Sequence, residues 1–145
     1  MIILVDDERR QMESYLDELK LANYKIEFRK DVGAAINFLK ENLADIELLI
    51  LDIMMPPGTL FGSSETNGGL RTGLHLYELI RENSPKLPIL ILTNVSDPGV
   101  HKHFLNESFC WYLRKEDCLP FELTDEVKRI FDEMKSDESE GATPS

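Results

Sequence analysis

Three short apolar runs constrain this chain more than any other feature: IILV at Ile2–Val5, ELLIL ending at Leu51, and ILIL at Ile89–Leu92. None alternates apolar with polar residues, so neither face of these strands is suited to water. Strands covered on both faces are typical of parallel sheets, because helical crossovers supply both covering layers. Two further runs bring the strand count to five: YKIEF at Tyr24–Phe28 and Phe109–Leu113. YKIEF alternates, which suits a sheet edge.

The intervening segments carry helical spacing. Met12, Leu16 and Leu19 form one stripe, and Val32, Ile36 and Leu39 another, with Asp31 placed as an N-cap. Leu74, Tyr77 and Leu79–Ile80 mark a third helix that Pro85 stops. DPGVHKHFLNES, residues 97–108, reads as a short, weakly periodic helix. The last helix opens with Pro120 and carries Leu123, Val127, Ile130, Phe131 and Met134. Strand–helix alternation predicts one α/β domain over residues 1–135 with right-handed crossovers. Residues 136–145 hold three acids and no base, and are expected to be a disordered acidic tail. Residues 56–69 contain four glycines and no periodicity, a loop length that is uncommon unless it serves function.

Acids outnumber bases by 27 to 16, for a net charge of −11. Such a surface argues against nucleic acid, whose phosphates require a basic face. No apolar run approaches membrane-span length, and the N-terminus lacks the basic start and long apolar stretch of a signal peptide. The expected setting is cytoplasmic, with no membrane partner. Cys110 and Cys118 lack neighbours at zinc-ligand spacing and are expected to stay reduced.

In open α/β sheets, ligands bind beyond the carboxyl ends of the strands. Those ends carry Asp6 and Asp7, Asp52, Thr93 and Lys115. Hard oxygen ligands suit Mg²⁺, and a carboxylate beside a cation stays ionised and can attack phosphorus. An ammonium and a hydroxyl can then neutralise charge on phosphoryl oxygens. Each residue also has a quieter reading: helix caps for Asp6 or Asp7, a turn for Asp52, packing for Thr93 and Tyr112, a surface charge for Lys115. Their convergence on one sheet edge favours the pocket. His75, His101 and His103 read as surface or packing residues.

VDDE, LDIMMP, LT and YLRK, each at a strand end and in this order, resemble the CheY-like receiver domain of two-component response regulators, of the stand-alone type. The resemblance runs from Ile2 to about Met134. It implies a flavodoxin-like (βα)5 three-layer sandwich with strand order 2-1-3-4-5. By position, Asp52 matches the phosphoacceptor, and Asp6, Asp7, Asp52 and the Met54 backbone carbonyl match the Mg²⁺ site. Thr93 and Lys115 match the hydroxyl and lysine that meet the phosphoryl group, and Tyr112 matches the aromatic switch. A sensor histidine kinase or phosphotransfer protein is the implied donor. With no output domain expected after residue 145, the signal would leave through a downstream protein. Two alternatives stay open: an unphosphorylated binding module on the same fold, and an aspartate-nucleophile phosphohydrolase. The second wants a carboxylate at position 54, which is Met.

Three departures accompany the resemblance. The 56–69 loop is longer than the family's usual turn, and leaves from Asp52's own loop, where it could cover the pocket. Asn94 stands where a small residue is typical. Glu116, rather than a cis proline, follows Lys115, so a trans bond is expected, with Lys115 open to displacement.

Overall fold

The computed structural model describes residues 1–54, 70–94 and 98–142. The 56–69 insertion therefore lies outside the described residues. Among the described residues, strands and α-helices alternate: β1 (Ile2–Val5), α1 (Arg9–Leu21), β2 (Ile26–Arg29), α2 (Val32–Asn42), β3 (Leu48–Leu51), α3 (Leu70–Asn83), β4 (Ile89–Thr93), α4 (Pro98–Leu105), β5 (Cys110–Arg114) and α5 (Pro120–Ala142), with short 3-10 turns at Leu43–Asp45 and Lys115–Asp117. All strand pairs are parallel, in the order β2-β1-β3-β4-β5. This is the three-layer architecture the resemblance implied.

The apolar runs lack polar alternation because successive side chains point to opposite faces and both faces are covered. Ile3, Val5, Leu49, Leu51, Ile89 and Ile91 face one layer, with Val32, Ala35 and Leu39 of α2, Leu76, Tyr77 and Ile80 of α3, and Phe104 of α4. Their neighbours Ile2, Leu4, Leu48, Ile50, Leu90 and Leu92 face the other, with Met12, Leu16 and Leu19 of α1 and Leu123, Val127 and Ile130 of α5. Each such side chain, fully buried, contributes about 1.5–3 kcal/mol. The edge strands β2 and β5 are only half-buried, as the alternation of YKIEF foretold for β2.

Local devices place the helices. Asp31 caps α2, its Oδ1 accepting from the Ala34 amide at 2.7 Å. Gly73 lets α3 approach the chain directly after Asp52: a Cβ there would lie 2.1 Å from the Ile53 carbonyl oxygen. No other residue fits.

Two expectations at the C-terminus are settled differently. The tail expected to be disordered from Ser136 is helical to Ala142. Extending a helix already nucleated and packed through Ile130 costs far less than starting one, so polar residues can continue it without burial. The Lys115–Glu116 bond is trans as expected, since no described residue has a cis peptide. Among the described residues, no helix is long and apolar enough to cross a membrane.

Both cysteines are free thiols. Burial pushes Cys110 and Cys118 up to about 11 each, with the nearby charges of Glu107, and of Glu122 and Glu126, acting in the same direction.

Two outcomes follow from this packing. Gly73→Ala should cost about 2–3 kcal/mol in urea unfolding, whereas Gly33→Ala, whose Cβ meets only Asp31 Oδ1 at an ordinary 3.5 Å, should gain roughly 0.5 kcal/mol. Iodoacetamide at pH 8 should label the native thiols on the order of a hundredfold more slowly than the urea-unfolded chain, since only the thiolate reacts and burial withholds it.

Candidate phosphoacceptor site

Strand register builds the site. Val5 pairs with Leu51, so β1 and β3 end level; Leu51 pairs with Ile91, so β4 runs two residues further, to Thr93. The ladder continues one residue further: the Asp6 amide donates to the Arg29 carbonyl at 3.1 Å, and the Asp52 amide to the Val5 carbonyl at 3.0 Å. Asp6 and Asp52 are thus fixed side by side by backbone bonds. Thr93 ends β4 opposite Arg114, and Lys115 is the next residue of the chain.

The side chains converge as the sequence predicts. Asp52 Oδ1 accepts from Thr93 Oγ1 at 2.8 Å and from the Met54 amide at 3.0 Å. Asp52 Oδ2 accepts from Lys115 Nζ at 3.0 Å, and the same ammonium reaches Asp6 Oδ2 at 2.6 Å. Asp6 Oδ1 accepts from the Glu8 amide at 2.9 Å, closing the turn into α1. Asp6, Asp52 and Thr93 are buried, and Asp7 is exposed. Carboxylate oxygens of Asp6, Asp7 and Asp52 lie within 4.8 Å of one another. Neither aspartate is the N-cap of α1; that position is Glu8, whose side chain makes no capping bond.

The electrostatics are those of crowded acids around one cation. Burial pushes the Asp6 carboxyl above its ordinary value, against the lowering effect of its bonds to Lys115 and the Glu8 amide; the like charge of Asp52 adds to the rise. Asp7 is raised too, by partial burial and by the charges of Asp52 and Glu8. Burial alone would lower Lys115, but its contacts with Asp6 and Asp52 outweigh it and hold the ammonium above its ordinary range.

Some contacts were not readable from the chain. The substitution of Glu116 for proline does not displace Lys115, which still reaches both acids. Thr93 already touches Asp52. Tyr112, which the resemblance matches to an aromatic switch, is half-buried beside Phe104 (ring centroids 6.1 Å apart) and stacks on the exposed imidazole of His101 at 4.6 Å. His101 is a packing residue, as read, though its partner lies on another element. Tyr15 of α1 escaped notice as well: its hydroxyl donates to the Cys118 carbonyl at 2.6 Å. The available clue was a tyrosine bordering the Met12–Leu16–Leu19 stripe, where a half-buried hydroxyl needs a partner.

Lys115→Met would leave two buried carboxylates without their cation. A loss of about 3 kcal/mol at pH 7 is expected in urea unfolding. The loss should shrink as pH falls, because protonating Asp6 removes unpaired charge.

A family model described as the response regulator receiver domain matches residues 2–128. A response regulator named MprA, from Mycobacterium sp. strain KMS, is 30% identical over 92 residues. That match spans 63% of this chain and 34% of the relative, so the chain corresponds to only about a third of these curated relatives. The CheY-like receiver domain protein of Methanospirillum hungatei JF-1 superposes with a TM-score of 0.72 at 20% identity, covering 94% and 96% of the two chains. The isolated RcsB receiver of Salmonella enterica serovar Typhimurium gives 0.68 at 25% identity, covering 88% and 84%. With the family matched along most of its length and the fold shared, this chain belongs to the response regulator receiver domain family.

Proposed function

We propose that this receiver domain takes a phosphoryl group onto Asp52, with Mg²⁺ beside it, and passes the change to a protein partner in the cytoplasm. One observation carries the reading. The buried Asp52 carboxylate is already held by a hydroxyl, an amide and an ammonium, at 2.8, 3.0 and 3.0 Å. Donors fixed in advance stabilise developing charge without reorganising, and phosphoryl transfer depends chiefly on that.

The donor set suits a hard divalent cation. Three carboxylates face one ammonium, leaving two negative charges that such an ion would balance. Asp6, Asp7 and Asp52 would hold it, with the Met54 carbonyl as the remaining protein ligand. Bound there, the ion would supply charge neutralisation for the carboxylate and phosphoryl oxygens.

The chain's own residues do the rest. An Asp52 oxygen attacks phosphorus; the new O–P bond forms as the bond to the donor's imidazole nitrogen breaks, and the electron pair stays on the imidazole. Thr93 and Lys115 then pass from the carboxylate to the phosphoryl oxygens. Thr93, no longer held by Asp52, repacks against Tyr112, and α4, β5 and α5 offer an altered face to the next protein. This is a shift between two arrangements of one fold. The donor is a sensor histidine kinase or phosphotransfer protein. The related RcsB receiver, solved in the presence of the phosphomimetic BeF3⁻, supports the reading.

Acetyl phosphate with Mg²⁺ tests it. The native chain should gain one phosphoryl group by mass spectrometry; Asp52→Asn, or the native chain in excess EDTA, should gain none. Uptake retained in Asp52→Asn, or absent from the native chain, overturns the assignment.

A further inference from the structure

We infer that Tyr15 is a positioning residue for Lys115, fixing from α1 the turn on which the site's ammonium stands. Lys115 opens a short 3-10 turn, Lys115–Asp117, closed by the Cys118 amide donating to the Lys115 carbonyl at 3.2 Å. Apart from the Lys115 ammonium, the ion pairs of that turn lie on its solvent side. Glu116 and Asp117 are exposed, and their ion pairs run to adjacent Arg114, at 3.1 and 3.8 Å on the solvent side. Exposed pairs of this kind contribute little. No proline ring fixes the backbone after Lys115, since Glu116 stands there.

The tie to the body comes from Tyr15, a hundred residues away in sequence. Its hydroxyl donates to the Cys118 carbonyl at 2.6 Å and lies 3.5 Å from the Lys115 carbonyl, so one group spans both ends of the turn. The ring is half-buried against the core shared by α1 and α5. That burial also raises its phenol, which keeps the donor proton in place. Cys118, the residue so held, is itself buried, and the turn is thereby pinned on its inner side.

Pinning matters because of the length of the lysine stem. Four rotatable bonds separate the Lys115 backbone from an ammonium that meets two oxygens at once, at 2.6 and 3.0 Å. If the backbone drifts by about an ångström, one contact is lost, and misplacement on that scale can cost orders of magnitude in rate. Tyr15 never touches the reacting atoms; it acts through Lys115. Its influence on phosphorylation rests on the function proposed above, whereas its hold on Lys115 does not.

Two readouts on the full chain separate these. Tyr15→Phe removes only the oxygen. Acetic anhydride labelling, read by peptide mass spectrometry, should acylate Lys115 roughly tenfold faster in this variant while other lysines keep their native rates. Uptake from acetyl phosphate and Mg²⁺ onto Asp52 should slow by a similar factor. Placing 4-aminophenylalanine at position 15, which restores a donor on a ring of the same size, should recover both; it also decides the matter if the Phe variant folds poorly. Native labelling of Lys115 in a folded Tyr15→Phe chain overturns the inference, as does an equal rise at every lysine. Faster Lys115 labelling with no uptake even in the native chain supports the positioning role and overturns only the phosphoacceptor reading.

Discussion

The register of the parallel strands governs everything else in this molecule. Because β1 and β3 stop together and β4 runs two residues past them to Thr93, the residues at their ends emerge at one edge, and backbone bonds fix Asp6 beside Asp52 before any side chain is considered. Burying two carboxylates this way costs several kcal/mol apiece unless they are paired. The chain offsets that with a single lysine shared between them, supplied by the next segment to leave the sheet. Period-2 packing of the same strands into two layers provides the burial that holds the arrangement closed.

The lysine does not finish the neutralisation. One ammonium against three carboxylates leaves the pocket electron-rich, and Asp6 and Asp7 respond by holding protons more readily than free aspartates. An environment under that strain gains from any incoming positive ion. The hydroxyl of Thr93 and the amide of Met54 add neutral donors to Asp52 without changing the charge. In the function proposed above, attraction for a cation and readiness for an anionic phosphoryl group would arise from this one arrangement.

Most of this was legible in the residues themselves. Uninterrupted apolar runs announced a doubly covered parallel sheet, and polar residues collected at their ends announced the pocket, because register alone brings strand ends together. Asp31 was readable as a cap because capping is a local interaction. What escaped depended on contacts across distant segments: Tyr15 with Cys118, His101 with Tyr112, and Thr93 already seated on Asp52. No spacing rule encodes those meetings. The tail after Ser136 departs from expectation for a different reason. Its composition suits disorder in isolation, but it follows a packed helix that supplies the nucleus it lacks.

That helix has a mechanical consequence. At 23 residues, α5 measures about 35 Å, while the four- and five-residue strands beneath it run to only about 15 Å. It must overshoot the sheet as a stiff rod. Its base lies at Pro120, two residues beyond Cys118, so the rod starts close to the pocket. Were the rod to tilt by about 5° about that end, its other end would move through roughly 3 Å.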